Sequence, residues 1–274
     1  MEAGGSLRSP VLGFHLILDS DHTMPNSSQQ QDLKDVGLIV AAGGSSIRFG
    51  GPNKLLLPLG PSRLAVFCHC LQTLTPLLTA ARSILVVPEN QQDAFHAALA
   101  AAHLDGAVTV VPGGRSRQDS VQCGLKALPP EVSIVAVQDA ARPLVSRELL
   151  ARCVNTARHH GAGIAAAPVT DTIKIADSNG MILTTPERTT LWAAQTPQVF
   201  RKNLLTAAYA RCQQDGREVT DDAQAMEVIG YPVALVENLA PNPKLTRPED
   251  LTLAEYLLQN LPRGQHPAGA GRDA

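Results

Sequence analysis

The sequence lacks the features that mark several large classes of protein. No apolar run approaches the roughly 20 residues that a membrane-spanning helix needs. The net charge of −2 at pH 7 provides no basic field that would attract nucleic acid or an anionic membrane. The five cysteines are odd in number and include no Cys-x-x-Cys pair, which argues against a disulfide framework. We therefore expect a cytoplasmic protein with reduced thiols and without a membrane or nucleic-acid partner.

The Cys68-His69-Cys70 tripeptide is a candidate metal site that its surroundings do not favour. It lies within a helical pattern, in which consecutive residues point in different directions. We interpret these residues as small members of the core and predict no residue that binds a metal directly.

Two common phosphate-binding fingerprints are also missing. The loop after the first predicted strand carries neither the G-x-G-x-x-G of dinucleotide-binding folds nor the G-x-x-x-x-G-K-[ST] of the P-loop. The chain from Val36 to Lys54 instead reads VGLIVAAGGSSIRFGGPNK. Its apolar run predicts a buried strand, and its small residues let backbone N–H groups approach an anion. Because Arg48 and Lys54 lie on the same loop, we favour a polyphosphate site over an ordinary strand-to-loop turn.

Strand and helix patterns alternate along the rest of the chain, which predicts an α/β fold with a mostly parallel sheet and helices on both faces. In such sheets ligands bind at the carboxyl ends of the strands. We expect a flexible N-terminal extension over residues 1–35, one domain over 36–261 and a disordered tail over 262–274. The predicted strands are Val36–Val40, Ser83–Val87, Val108–Val111, Ile134–Val137, Gly163–Ala167 and Val233–Val236. The predicted helices are Ala65–Leu74, Gln91–Ala101, Ser116–Leu128, Arg147–His159, Lys202–Arg211, Asp221–Val228 and Pro248–Leu258.

The segment Asp171–Thr184 breaks this alternation. Two short β-like runs flank Asp177-Ser178-Asn179-Gly180, which is a hairpin turn signal. A hairpin that projects from the domain has exposed edges, and pairing with another subunit would cover them.

Charged residues come after several of the predicted strand ends. Gly113 and Gly114 precede Arg117 and Ser120, a group that can close over a base or a phosphate or can simply form a strand-to-helix turn. Asp139 and Arg142 come after another strand, where they form either a surface ion pair or part of a ligand site. We expect the basic residues to converge on one cationic cleft that suits a small polyanion. These basic residues are Arg48, Lys54, Arg142, Arg188 and Lys244.

Seven strings, in order, resemble the 2-C-methyl-D-erythritol 4-phosphate cytidylyltransferase family of the non-mevalonate isoprenoid pathway. The resemblance runs from about Val36 to Leu258. The strings are AAGGSSIRFGGPNK, GGRSRQDSVQCGL, QDAARPLV, APVTDTIK, PERTTLWAAQTPQVF, EVTDDAQAME and NPKLTRPEDL.

The resemblance implies a nucleotidyltransferase that joins CTP and a polyol phosphate on a Rossmann-like sheet of the nucleotide-diphospho-sugar transferase type. It also implies Mg²⁺ bound mainly through the CTP phosphates, and a homodimer formed by an arm over about 170–196. The implied nucleotide-binding residues are Ala41, Ala42, Gly43, Gly113, Gly114, Ser120 and Ala140. The implied substrate-binding residues are Asp139, Arg142, Thr172, Arg188, Thr196 and Lys244. The implied catalytic residues are Arg48, Lys54, Arg188 and Lys244.

Four alternatives stay open at this point. A ribitol-5-phosphate cytidylyltransferase would share the fold and the chemistry, and a molybdenum-cofactor guanylyltransferase has a similar opening loop. A non-catalytic nucleotide-binding protein would be expected to lose Arg48 or Lys54, and both are retained. A dinucleotide-dependent dehydrogenase would need the missing glycine fingerprint.

Overall fold

A computed structural model describes residues 33–43 and 53–260 of the 274-residue chain. The predicted tail and all but residues 33–35 of the predicted N-terminal extension lie outside the described residues. Arg48 lies outside them as well.

Within the described ranges the chain forms eleven strands and seven α-helices. The strands are β1 (Val36–Ala41), β2 (Pro58–Leu59), β3 (Leu64–Ala65), β4 (Ser83–Val87), β5 (Thr109–Pro112), β6 (Ile134–Asp139), β7 (Ala162–Pro168), β8 (Ile175–Ala176), β9 (Ile182–Thr184), β10 (Trp192–Arg201) and β11 (Ala234–Glu237). The helices are α1 (Val66–Leu74), α2 (Gln92–Ala101), α3 (Arg117–Ala127), α4 (Arg147–His160), α5 (Lys202–Gln214), α6 (Asp222–Val228) and α7 (Glu249–Asn260). Short 3₁₀ helices include Lys54–Leu56 and Arg188–Thr190.

Seven strands form the central sheet in the order β11-β7-β10-β6-β1-β4-β5. All neighbouring pairs are parallel except those of β10, which runs antiparallel to both β6 and β7. The prediction of a mostly parallel sheet is therefore confirmed. Strand β10 itself was not predicted, and its first residues overlap the end of the predicted arm.

The core lies in two layers, one on each face of the sheet. In β1 the side chains of Leu38 and Val40 belong to one layer and that of Ile39 to the other, because successive side chains of a strand point to opposite faces. The first layer is covered by residues of α1, α2, α4 and α7. The second layer is covered by residues of α3, α5 and α6. Helices on both faces are thus confirmed.

Capping residues set where helices α3 and α4 begin and where α4 ends. Ser116 caps α3 in a capping box with Asp119, in which each side chain accepts the other residue's backbone N–H. Ser146 caps α4, and Gly161 ends it in the left-handed conformation with a φ of 88°. None of the described helices has the length and apolar character needed to cross a bilayer.

The Cys68-His69-Cys70 tripeptide lies in α1, and all three side chains are buried in the protein. Burial raises the pKa of the Cys68 thiol to about 12. Their interpretation as core residues is therefore confirmed.

The predicted hairpin is present as the antiparallel pair β8–β9. The Asp177 side chain closes its turn by accepting the backbone N–H groups of Asn179 and Met181. The hairpin lies outside the central sheet, and both of its strands are exposed.

Candidate functional site

The glycine-rich loops after β1 and β5 meet around one serine hydroxyl. A Cβ atom on Gly43 would lie 2.8 Å from the Ser120 Oγ, and a Cβ atom on Gly113 would lie 2.7 Å from it. The backbone N–H of Gly114 donates to the same oxygen at 3.2 Å. Because glycine has no side chain, the Ser120 hydroxyl can lie close to both loops in this position.

Backbone hydrogen bonds connect the loop after β1 to the ends of β6 and β4. The Ala140 N–H donates to the carbonyl of Ala41 at 3.1 Å, and the Ala42 N–H donates to the carbonyl of Val86 at 2.8 Å. The structure therefore brings together all seven residues that the sequence predicts to bind nucleotide. The result is a cradle of small residues at the carboxyl edge of the sheet.

A polar cavity of about 260 Å³ lies beside this cradle. Ligand pockets typically measure about 300–1,000 Å³, so this cavity is near the lower end of that range and is of a size for a small ligand. The lining residues are Arg117, Asp139, Arg142, Ala194, Gln195, Thr196, Gln198, Thr220, Asp221 and Lys244. Four of the predicted substrate-binding residues are among them.

The carboxylate of Asp139, one of the lining residues, is the shared partner of three cations. Its Oδ2 lies 2.8 Å from the Lys244 Nζ and 3.7 Å from the Arg142 Nε. Its Oδ1 lies 3.4 Å from the Arg117 Nε. The Asp139 side chain is only 10% exposed, so the Asp139–Arg142 contact is a buried interaction and not the surface ion pair that the sequence left open.

Hydrogen bonds to backbone groups bring the loop that carries Lys244 to Arg142, just after the end of β6. The Leu245 N–H donates to the Ala141 carbonyl at 2.9 Å, which anchors the loop that carries Lys244. The Arg142 Nη1 donates to the Asn242 carbonyl of that same loop at 2.7 Å. The Thr196 hydroxyl accepts the Asp139 N–H at 3.0 Å, which adds β10 to the site.

The pKa shifts agree with this arrangement. Burial alone would raise the pKa of Asp139, but the nearby Arg117, Lys244 and Arg142 hold it below its usual value. Burial lowers the pKa of Arg142, and Asp139 opposes that effect only in part. The Arg142 Nε is buried without a hydrogen-bond acceptor, and its ion-pair partner, the Asp139 Oδ2, lies 3.7 Å away.

Two of the predicted basic residues do not line this cavity, and a third, Arg48, lies outside the described residues. Lys54 lies in the 3₁₀ helix Lys54–Leu56 and is not among the residues that line the cavity. Arg188 and Thr172 lie on the exposed arm, where the Arg188 Nη1 donates to the Thr170 carbonyl at 3.0 Å. Of the basic residues expected to converge, Arg142 and Lys244 do so, together with Arg117.

Several lining residues were not predicted as site residues. Gln195 and Gln198 belong to the unpredicted strand β10, and Thr220 and Asp221 precede α6. All four lie within the strings PERTTLWAAQTPQVF and EVTDDAQAME. No pattern within those strings shows which of their side chains face a cavity.

A metal site built from protein side chains is not apparent in the described ranges. No group of three or more His, Cys, Asp or Glu residues there could hold an ion. The Asp139 carboxylate faces three protein cations instead of further carboxylates. The described residues thus do not form a site for Mg²⁺ on their own.

A mostly parallel sheet with a bare-amide cradle and a cationic cavity at its carboxyl edge defines an α/β nucleotide-binding protein. The profile of one family, 2-C-methyl-D-erythritol 4-phosphate cytidylyltransferase, matches residues 36–260. The chain belongs to this family of nucleotidyltransferases.

Individual proteins agree with that assignment. The chain is 39% identical over 229 residues to the 2-C-methyl-D-erythritol 4-phosphate cytidylyltransferase of Bacillus licheniformis, covering 84% of this chain and 97% of that one. It is 40% identical over 249 residues to the bifunctional enzyme IspD/IspF of Desulfotalea psychrophila, covering 88% of this chain but only 62% of that longer protein. The crystal structure of 4-diphosphocytidyl-2C-methyl-D-erythritolsynthase from Anaerococcus prevotii superimposes with a TM-score of 0.72 at 32% identity. That match covers 83% of this chain and 100% of the other.

Proposed function

We propose that this protein joins CTP and 2-C-methyl-D-erythritol 4-phosphate to give 4-diphosphocytidyl-2-C-methyl-D-erythritol and pyrophosphate, a step of isoprenoid precursor biosynthesis. One observation carries the proposal. Arg142 and Lys244 meet at a cavity of small-ligand size, directly beside a cradle of small residues. The cavity supports binding of the polyol phosphate, and the cradle supports binding of the nucleotide.

The proposed reaction is a direct displacement at phosphorus. A phosphate oxygen of the polyol phosphate attacks the α-phosphorus of CTP, and pyrophosphate departs as the leaving group. The attacking oxygen is already anionic, so no general base is required. Catalysis then consists of positioning and charge neutralisation.

The cations of this chain have separate roles in the proposal. Lys54 and Arg48 stabilise the charge that develops on the α-phosphate: lysine acts as a movable point charge and arginine as a planar fork. Arg142 and Lys244 hold the polyol phosphate. When Mg²⁺ is present, it would neutralise part of the triphosphate charge while bound to phosphate oxygens and water.

We further propose a homodimer in which the arm of one subunit brings Arg188 and Thr172 to the site of the other. Neither residue lines the cavity of its own chain. The arm exposes a run of large apolar side chains that a partner would cover. These are Ile173, Ile175, Met181, Ile182 and Leu183, with exposed fractions of 40–67%.

A cytoplasmic location remains part of this proposal. It is supported by the five cysteines, all of which are free thiols in the structure.

The decisive experiment measures pyrophosphate release by the purified protein with CTP and Mg²⁺. Parallel reactions contain 2-C-methyl-D-erythritol 4-phosphate, ribitol 5-phosphate or no polyol, and a further reaction replaces CTP by GTP. We expect release only with CTP and the methylerythritol compound. Preference for ribitol 5-phosphate or for GTP would support one of the alternative transferases, and no release with any pair would support a non-catalytic nucleotide-binding protein.

A further inference from the structure

A chain of buried polar contacts leads from the interior to the cavity. The hydroxyl of Tyr209 in α5 donates to the Asp222 Oδ1 at the start of α6. The Asp222 Oδ2 accepts the Arg117 Nη2 at 2.7 Å. The Arg117 Nε in turn lies 3.4 Å from the Asp139 Oδ1, so its guanidinium bridges two carboxylates.

The inner residues of this series of contacts do not reach the cavity. Tyr209 is 1% exposed and Asp222 is 0% exposed, and neither lines the cavity. The backbone beside Asp222 is held as well, since the N–H groups of Asp222 and Ala223 donate to the Gln198 Oε1 at 3.1 and 3.0 Å. The side-chain contacts that connect Tyr209 to the Asp139 carboxylate run through Asp222 and Arg117.

The ionisation states suit this arrangement. Burial and the Asp222 carboxylate raise the pKa of Tyr209 well above its usual value, so the hydroxyl retains the proton that it donates. Burial alone would lower the pKa of Arg117, but the carboxylates of Asp222 and Asp139 raise it. The guanidinium thus stays charged between its two partners.

We propose that Tyr209, Asp222 and Arg117 are positioning residues that fix the Asp139 carboxylate for the polyol phosphate. Arg117 holds the Oδ1, which leaves the Oδ2 to face Lys244 and Arg142 on the substrate side. A buried ion pair does little for stability compared with apolar packing, whereas it does fix one arrangement of its members. The inference rests on the proposed function, because it concerns the KM for that substrate.

The test is steady-state kinetics of three variants, with each substrate varied in turn. Tyr209→Phe removes one hydroxyl from the chain, and Arg117→Gln removes the bridge. We expect the KM for the polyol phosphate to rise about 5-fold in the first, as for one lost hydrogen bond, and at least about 10-fold in the second. The KM for CTP should stay within about 2-fold of wild type in both. Arg117→Lys should restore only part of the loss, since an ammonium cannot replace the planar fork.

A double-variant cycle separates positioning from folding. If Tyr209 acts through Arg117, Tyr209→Phe should not raise the KM further in the Arg117→Gln background. Tyr231→Phe is the matched control, because its hydroxyl donates to the His160 carbonyl at 3.2 Å, away from the cavity. Thermal unfolding of each variant establishes that it is folded, and Tyr209→Phe remains informative where Arg117→Gln does not fold.

Three results would overturn the inference. A normal KM for the polyol phosphate in Tyr209→Phe with only a lower Tm would show that these contacts only stabilise the fold. Additive effects in the cycle would show that Tyr209 does not act through Arg117. A raised KM for CTP alone would make Arg117 a nucleotide ligand. Inactive wild-type protein would instead refute the proposed function, so the two failures are distinguishable.

Discussion

Replacing Asp139 by asparagine tests the electrostatics of the site most directly. The side chain keeps its shape, but the negative charge that faces Arg117, Arg142 and Lys244 disappears. The variant therefore reports how much of the stability of the folded protein depends on balancing these three cations.

The magnitude depends on the partners that each cation retains. Removing one partner of a buried ion pair costs about 3–5 kcal/mol, because it leaves a buried charge uncompensated. Arg117 retains Asp222 at 2.7 Å, and the 38% exposed Lys244 side chain regains water. Arg142 is only 11% exposed, and its guanidinium retains two carbonyl acceptors. We expect the free energy of unfolding to fall by about 2–3 kcal/mol, below the range for a fully isolated charge.

The assay is urea unfolding at pH 7 and at one fixed protein concentration, since a dimer would make stability depend on concentration. Asp215→Asn is the matched control. Its partner Arg211 lies at 2.8 Å, but the two side chains are 37% and 59% exposed, so little change is expected. An Asp139→Asn variant as stable as the control would refute the claim that Asp139 balances buried charge.

The pH dependence provides a second check with a definite sign. The pKa of Asp139 in the folded protein lies below its ordinary value of 3.8. The contribution of the Asp139 charge to the free energy of unfolding is therefore complete above pH 3.8, and it is lost as the pH falls through the pKa of the folded protein. The stability difference between wild type and Asp139→Asn should stay constant from about pH 7 to 5 and narrow below about pH 4. A difference that narrows between pH 7 and 5 would contradict this reasoning.

Three further predictions concern other parts of the protein. Lys54→Met should lower the single-turnover rate by about 10²-fold, which is the scale for the loss of one transition-state donor. Lys126→Met, on the exposed side of α3, is the control and should leave the rate unchanged. Equal rates in the two variants would remove Lys54 from the mechanism. Gly161→Ala should lower the Tm and destabilise the fold by at least about 1 kcal/mol, because alanine is strained at a positive φ. Its new Cβ would also lie 2.1 Å from the Tyr231 Oη, and an unchanged Tm would show that this turn relaxes freely. Ile182→Asp changes an arm residue that is 63% exposed and should yield monomers in analytical sedimentation. Leu253→Asp, on the exposed side of α7, is the control and should not change the oligomeric state. A dimeric Ile182→Asp would place the subunit interface elsewhere.

The regular elements were largely predictable, because their signals are local. The apolar run of β1 and the caps of α3 and α4 can be recognised within a few consecutive residues. The predicted boundaries of β5 and β11 lie one residue too early at both ends.

Strand β10 escaped prediction for a physical reason. Pro197 lies inside it, and a proline inside a run argues against a strand in the interior of a sheet. The strand nevertheless pairs on both sides, because its register with β7 shifts between Ala194 and Gln198, where the proline lies. That accommodation depends on the neighbouring strand, which no local pattern contains.

By itself the sequence determined the α/β class, the loop of small residues after β1 and the resemblance to the family, because each is read from short strings of consecutive residues. Only the tertiary structure decided which charges meet. Asp139 contacts Arg117 and Lys244, which lie 22 and 105 positions away along the chain. Such contacts depend on the order of the strands in the sheet and on the path of the loop after β11. Electrostatic energy depends on distance in space, and sequence separation does not report that distance.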